Sequence, residues 1–399
     1  GQASDLTKGL PGRPASEILW QLGRKYQQVG KSREAAEAFH LLIEKHPQQP
    51  LSDAAAMWLV QYYASGEVAW RERKETKFEL RLSTAINREE EAIAAATGRT
   101  SPHTSPVQQA LFASAGSTRT AAPDLNPVER AGRAIGLAKQ IEQTRPTLYA
   151  DPALRFAVAA AARQAGQPRT ADRFFQILTA SASQTIWSQN AAAEQWLFRP
   201  NENPPKKVCS VVTATDKPRL DGRLDDPIWQ IAKPVSLKSM GSDDAAYPAV
   251  VVLVFDDEYL YVAVSCRKAP SVDYAVKDAS RAPDTDLSSR DRVTLMLDID
   301  RDYASYWQLT IDHRGWPADN CFGDTTWNPQ WFIATAGDDQ YWTAEAAIPL
   351  AELTPKKPQV RDVWALGVQR VIPRVGFQSF TTPAAIEPRP EGFGLMVFE

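Results

Sequence analysis

Cysteine is scarce in this chain, with only Cys209, Cys266 and Cys321 among 399 residues. No C-x-x-C pair occurs, which argues against a thiolate zinc site and against covalently attached haem. One disulfide with one free thiol and three reduced thiols both fit this count. The four histidines are scattered and show no spacing typical of metal ligands.

Long apolar runs and catalytic motifs are also missing. No stretch of about 18 apolar residues occurs, so the sequence predicts no membrane-spanning helix. The formal net charge of −3 gives no electrostatic basis for binding nucleic acid. We find no G-x-S-x-G elbow, no H-E-x-x-H and no glycine-rich phosphate loop, and we therefore expect no enzymatic activity. A carboxylate pair for glycoside hydrolysis has no fixed sequence spacing and stays open.

The chain changes character near residue 200, from alanine-rich stretches with helical spacing to short β-branched and aromatic runs. The polar, proline-rich passage RPNENPPKK at 199–207 is typical of a linker. The sequence therefore predicts a multidomain chain, in which a short extension at 1–13 precedes an all-α domain at 14–198. An all-β antiparallel domain at 208–399 follows the linker.

Eight positions in the first half fall at the spacing of a tetratricopeptide repeat. They are Leu19, Leu22, Gly23, Tyr26, Ala35, Phe39, Leu42 and Pro47. Partial copies follow at 56–63 and 152–178, so this half resembles a tetratricopeptide solenoid. The resemblance implies a concave surface that docks a protein partner. The open alternative is that the helices only support the β-domain or its neighbours.

A segment rich in Ser, Thr, Ala and Pro interrupts the helical half at about 98–125 and predicts a loop or a disordered insert. Helix is expected to resume at Asn126, with the asparagine as N-cap and Pro127 at the first helical position. Glu129 in the first turn adds to this start signal.

The second half alternates apolar and polar residues between short turns, which predicts hairpins in a β-sandwich. The predicted strands are 208–214, 249–255, 260–266, 292–299, 305–312, 331–335, 341–348, 363–371 and 392–398.

Four segments of this half occur in the order found in carbohydrate-binding module family 9. They are LDGRLDDPIWQIA at 220–232, VVVLVFDDEYLYVAV at 250–264, SRDRVTLMLDID at 289–300 and WTAEAAIPLAEL at 342–353. The domain therefore resembles a family 9 module of the DOMON-like kind. The resemblance implies a non-catalytic, exported β-sandwich, periplasmic or extracellular, that is often stabilised by calcium. The chain begins GQAS, so we expect that a signal peptide has been removed.

Family members that bind sugars clamp the ring between two tryptophans, and this sequence departs from that pattern. Ser288 stands at the first clamp position, and the loop 381–392 contains no aromatic residue. Trp316 and Trp327, flanked by Pro, Asp and Asn, are the candidate replacements. They would form a surface for a polysaccharide, an oligosaccharide or a protein. The open alternative is that both rings fold back over the edge of the sandwich.

Alternate carboxylates at Asp298, Asp300 and Asp302 follow a predicted strand and are candidate calcium ligands, because calcium prefers several oxygens from one tight loop. The alternative is a solvated acidic turn. A DOMON-like sandwich can also bind haem, which would need an axial donor from among Met240, Met296, Met396 and His313.

Together these features predict a non-enzymatic binding or scaffold protein, whose helices dock a protein and whose sandwich contacts carbohydrate or protein. A structural subunit of a larger assembly that binds no sugar is one alternative. A haem-binding accessory protein is the other.

Overall fold

The computed structural model describes residues 7, 9–77, 126–180, 185–201, 203–241, 243–275, 285–381, 385–387 and 389–399. The predicted insert at 98–125 lies outside the described residues. The first half is α-helical and the second half is built mainly from β-strands. No described helix combines the length and the apolar character needed to cross a bilayer.

The helices of the first half follow one another with short connections. They are α1 (Gly12–Gln28), α2 (Ser32–Lys45), α3 (Pro50–Ala64), α4 (66–77), α5 (Pro127–Thr144), α6 (Pro146–Tyr149), α7 (Pro152–Gln164), α8 (Pro168–Thr179) and α9 (Ile186–Phe198). Two further short helices lie in the second half, α10 (Asp243–Ala246) and α11 (Leu350–Leu353).

The helix pair predicted from the repeat spacing is present as α1 and α2. A side chain larger than hydrogen at Gly23 would place its Cβ 2.5 Å from the Phe39 ring, so the two helices depend on glycine for their close approach. The third predicted copy is present as α7 and α8. Whether these pairs form a tetratricopeptide solenoid stays a prediction.

Helix α5 begins where the sequence predicts. The Asn126 side chain accepts a hydrogen bond from the Glu129 backbone N–H at 3.0 Å, and the Glu129 carboxylate accepts one from the Asn126 N–H at 3.0 Å. This reciprocal capping box satisfies two backbone donors that would otherwise lack partners.

The strands of the second half form two sheets. They are β1 (Val208–Thr213), β2 (Val235–Ser236), β3 (Ala249–Phe255), β4 (Tyr259–Arg267), β5 (Arg292–Asp298), β6 (Trp307–Asp312), β7 (Pro317–Cys321), β8 (Phe332–Gly337), β9 (Tyr341–Pro349), β10 (Val363–Ile372), β11 (Gly376–Ser379) and β12 (Gly394–Phe398). Sheet I has the order β7-β6-β5-β10-β12-β1, with β11 on β10. Sheet II has the order β1-β3-β4-β9-β8, with β2 on β3. Strand β1 joins them, pairing in parallel with β12 and then with β3.

All nine predicted strands are present, within a few residues of their predicted ends. Strand β7 is not among the predicted strands, because PADNC has no apolar alternation. It is held instead by its antiparallel ladder with β6. The short strands β2 and β11 were also not predicted.

The core lies between the sheets and is formed by alternate residues of each strand. On β5, Val293, Leu295 and Leu297 belong to this core. The intervening Met296 points to the outer face of sheet I, where it packs with Phe156 of α7. Removing a phenylalanine side chain from water stabilises the fold by about 2 kcal/mol. The helices therefore cover part of one face of the sandwich.

A second contact joins the helices to the loop between β7 and β8. The Trp58 ring of α3 stacks on Phe322 with centroids 5.6 Å apart. Arg71 of α4 forms an ion pair with Asp324, and both side chains are buried. The helical half thus supports the β-domain directly, whereas a partner-docking role for it stays a prediction.

A buried ion pair joins the two sheets near the start of β5. Arg370 of β10 donates to both Asp291 carboxylate oxygens, at 3.0 and 2.6 Å, and neither side chain is exposed. Asp291 also accepts from the Trp342 indole N–H of sheet II at 2.9 Å and from the Tyr274 hydroxyl at 2.7 Å. One carboxylate therefore satisfies donors from both sheets.

Candidate functional site

The outer face of sheet I carries a group of hydrogen-bonding side chains on four neighbouring strands. Register places Thr294 of β5 beside Thr310 of β6 and Gln369 of β10, and Gln308 of β6 beside Asn320 of β7. The two threonine hydroxyls lie 3.0 Å apart. We call these five residues the polar face. It adjoins the apolar part of the same sheet face that the helices cover.

Trp316 lies at one end of the polar face, in the turn between β6 and β7. Asp312 accepts hydrogen bonds from the backbone N–H groups of Arg314 and Trp316, at 2.9 and 3.0 Å. It also pairs with the Arg314 guanidinium at 2.6 Å. That guanidinium lies 3.9 Å from the centroid of the half-buried Trp316 ring. A sugar ring can therefore reach at most the opposite face of the indole.

Trp327 is only 7% exposed, and its ring centroid lies 4.3 Å from that of the buried Trp307. The expectation that Trp327 lies at the surface is therefore wrong. The β7–β8 loop turns inward at the junction with the helices, where burying an indole gains more than leaving it in water. The alternative of a ring folded back over the sandwich holds for this residue. Trp316 and Trp327 do not share an exposed surface.

The two clamp positions of the family pattern lie near the polar face without aromatic rings. Ser288 is exposed, and its hydroxyl donates to Asp286 at 2.9 Å. In the loop after β11, the carbonyls of Ala385 and Ile386 accept hydrogen bonds from the Gln369 amide at 2.5 and 2.9 Å. This loop therefore borders the polar face and fixes one of its amides.

A second candidate site lies where the helices meet the loop between β5 and β6. The carboxylates of Asp298, Asp300 and Asp302 are joined there by Glu67 of α4, and we call these four residues the acidic cluster. One oxygen each from Glu67, Asp298 and Asp300 lie within 4.8 Å of one another. Glu67 was not predicted as part of this site, because no local spacing connects it to a loop more than 200 positions away.

The acidic cluster is not a solvated turn. Glu67, Asp298 and Asp302 are fully buried, so that alternative is wrong. Each carboxylate instead accepts backbone hydrogen bonds. Ile299 donates to Glu67 at 2.7 Å and Gly66 donates to Asp300 at 2.6 Å, which links the helices to the sandwich in both directions.

Burial and mutual repulsion disfavour ionisation of these carboxyls. Burial, followed by the charge of Asp300, raises the pKa of Asp302 to about 8. The same two causes raise the pKa of Glu67 well above its usual value. Burial, followed by the charge of Asp302, raises the pKa of Asp298 well above its usual value.

The nearest arginines offset these charges only in part, with the charge of Arg163 acting to lower the pKa of Asp300 that burial raises. Arg163 donates to the backbone carbonyl of Asp300, but its charge is paired with Glu194 at 2.5 Å. Arg301 pairs with the same Glu194 at 2.8 Å. Arg163 and Arg301 therefore both pair with Glu194, a buried carboxylate outside the acidic cluster. The acidic cluster itself keeps more acidic groups than nearby positive charges.

The donors of the cluster fit a hard divalent cation. Calcium binds about six to eight oxygens, and carboxylates are its usual protein ligands. A carboxylate oxygen that accepts one backbone hydrogen bond keeps a second lone pair for a metal. Glu67, Asp298 and Asp300 have the convergent oxygens, and Asp302 adds charge beside them.

The residues considered for haem do not fit an axial pair. Met296 faces the helices and Met396 lies in the core between the sheets, so the two point to opposite sides of sheet I. Met240 is 79% exposed, and His313 is 5% exposed in the turn after β6. All three cysteines are free and buried, so the disulfide alternative does not hold.

No family model and no curated protein matches the sequence. Among solved structures, the chain is similar to a carbohydrate-binding module family 9 from Caldicellulosiruptor kristjanssonii in complex with cellotriose. The TM-score is 0.37 and the identity 19%, over 48% of this chain and 94% of that one. The same module in complex with glucose gives 0.37 and 18%, over 48% and 96%. A protein from Bacteroides uniformis gives 0.37 and 13%, over 48% and 99%. These neighbours are carbohydrate-binding modules or are described as carbohydrate-binding, and at such identities no residue's role passes to this chain.

Proposed function

We propose that this chain is a non-enzymatic carbohydrate-binding protein, and that Trp316 and the half-buried amides of the polar face bind an oligosaccharide or a polysaccharide. The observation that carries the proposal is that the half-buried indole of Trp316 borders the sheet face on which the half-buried amides of Gln308 and Asn320 lie. The other three residues of the polar face, Thr294, Thr310 and Gln369, are buried and support this surface from below. A structural subunit that binds no sugar is the alternative that the experiment below separates from this proposal.

The chemistry of the polar face suits sugar hydroxyls. An amide carries both a donor and an acceptor, which is the combination that a pair of neighbouring hydroxyls requires. The Asn320 oxygen already accepts a hydrogen bond from the Gly323 N–H at 2.9 Å, so Asn320 offers mainly its NH₂ group. The side chains of Gln308 and Asn320 are half-buried, so part of their surface is accessible. The indole of Trp316 offers a flat apolar face for the C–H groups of a sugar ring, and contacts of this kind are worth about 0.5–1.5 kcal/mol.

We also propose that the acidic cluster binds calcium. The ion would be held by Glu67, Asp298 and Asp300, with Asp302 beside them, and it would neutralise their charge without touching the glycan. Because Glu67 belongs to the helices and the other three to the sandwich, the ion would fix the two halves relative to each other. Export of the protein and the docking of a protein partner by its helices stay predictions.

Replacing Trp316 with alanine is expected to weaken glycan binding about tenfold, since 1.4 kcal/mol corresponds to a factor of ten in Kd. Isothermal titration of the intact chain with a panel of soluble oligosaccharides, beginning with cellotriose and glucose, measures this. Phe198→Ala is the matched control, because Phe198 is an aromatic residue that is 64% exposed at the end of α9 and is not part of the polar face.

If Trp316→Ala binds the oligosaccharide as strongly as Phe198→Ala does, the Trp316 indole is not part of the binding site. Absence of binding across the whole panel, with the protein folded, would favour the structural subunit. A loss of binding confined to Trp316→Ala supports the proposed site.

A further inference from the structure

Strand β8 ends sheet II, and β9 is its one partner strand among the described residues. In an antiparallel strand, alternate residues direct their N–H and C=O groups away from the existing partner. Among the described residues, no backbone–backbone hydrogen bond reaches these groups from the side opposite β9. Within the part of the chain that the structure describes, strand β8 therefore presents an unpaired edge of main-chain donors and acceptors.

The sequence of this edge lacks two features that often protect an edge strand, a charged residue and a proline. Its sequence, Phe-Ile-Ala-Thr-Ala-Gly, contains no charge and no proline. Strand β7, which ends sheet I, contains both Pro317 and Asp319. Phe332 at the start of β8 is 53% exposed. A long, uncharged and apolar edge is a template for pairing with another strand.

We propose that β8 pairs in antiparallel fashion with β8 of a second copy of this chain, joining two sheets II across a two-fold axis. Paired residues must lie on the same sheet face, so a two-fold axis normal to the sheet passes midway between one residue and the same residue of the second copy. With the axis at Ala334, Phe332 lies opposite Ala336 and Ile333 lies opposite Thr335. The aromatic ring of each copy then covers a small residue of the other, which is a favourable cross-strand contact.

The charges that flank β8 favour this occupant and this direction. Asp338 and Asp339 follow the strand immediately, so a parallel neighbour of the same sequence would set like charges opposite each other. In the antiparallel arrangement Asp338 faces Gln330 and no acid faces an acid. A second copy also presents an equally uncharged strand, whereas a charged partner strand would lose solvation without gaining an ion pair.

This inference does not depend on the proposed glycan site. The polar face lies on sheet I and β8 is the terminal strand of sheet II, so glycan binding and dimerisation can fail separately.

Sedimentation equilibrium of the full chain over a range of concentrations tests the proposal. The expected result is a rise toward twice the 44.1 kDa mass of one chain. Phe332→Lys and Ala334→Lys are expected to raise the dimer Kd at least tenfold, the second because two like charges meet at the axis. Ile177→Lys is the matched control, because Ile177 is also 53% exposed but lies on α8.

Thermal unfolding of each variant shows whether it folds, and amide hydrogen exchange of the unmodified chain gives an independent reading. The amides of β8 are expected to exchange more slowly at high than at low protein concentration. The mass of a single chain at every concentration would overturn the proposal. So would an unchanged dimer Kd for a Phe332→Lys variant that is folded. Concentration-independent exchange in β8 would overturn it as well.

Discussion

Replacing Asp291 with alanine is expected to lower the free energy of unfolding by about 3–5 kcal/mol. The substitution leaves the fully buried Arg370 guanidinium without its counter-charge. Arg370 remains charged in the variant, because a guanidinium is not deprotonated in proteins. The indole N–H of Trp342 and the hydroxyl of Tyr274 lose their acceptor at the same time.

Urea unfolding followed by circular dichroism measures this change. Asp225→Ala is the control, because an exposed carboxylate without such partners is expected to change stability by less than about 0.5 kcal/mol. The double variant Asp291→Leu with Arg370→Met should recover much of the loss, because apolar residues of similar volume often replace a buried ion pair at little cost. A loss below about 1 kcal/mol for Asp291→Ala would contradict the role assigned to this network.

Calcium is expected to stabilise the chain more at pH 8 than at pH 5. In the unfolded chain the carboxyls of the acidic cluster ionise near pH 4. In the folded chain burial and like charges hold the pKa of Asp302 at about 8. Between these values the folded state binds more protons than the unfolded state, so without metal these carboxyls make stability fall as pH rises. Calcium competes with those protons for the carboxyl oxygens. It therefore stabilises the folded state most at high pH, where the carboxyls would otherwise be ionised without a counter-charge.

Thermal unfolding with calcium and with a chelator, at both pH values, measures the difference. Calcium at 100 times its Kd contributes about 2.7 kcal/mol, which raises the Tm of a chain of this length by about 3 °C. Glu67→Gln is expected to abolish most of that rise at pH 8 while keeping the shape of the side chain. The exposed Glu258→Gln is the matched control. If neither calcium nor a chelator changes the Tm at pH 8, the acidic cluster does not bind calcium.

How far the sequence predicts this protein depends on whether the signal is local. The alternation Val293, Leu295 and Leu297 predicts β5 correctly, because a core face requires period two. Asn126 and Glu129 predict the start of α5 because a capping box is a contact between near neighbours. Strand β7 was missed because it depends on its pairing with β6.

The candidate sites show the same limit. The spacing of Asp298, Asp300 and Asp302 indicates an acidic loop, but its burial comes from helices distant in sequence, as does Glu67. The polar flanks of Trp327 suggest exposure, yet Trp307 and the helices bury it. Trp316 retains partial exposure because it lies in a tight turn closed by Asp312.

Nuclear magnetic resonance of the tryptophan indole N–H groups during titration with an oligosaccharide tests directly whether Trp316 contacts the bound sugar. The chain has 12 tryptophans, and the Trp316 signal is identified by its loss in Trp316→Ala. We expect that a bound sugar shifts the Trp316 signal in a saturable way, while the signals of the buried Trp307, Trp327 and Trp342 stay in place. A sugar that binds and leaves the Trp316 signal unmoved would contradict it.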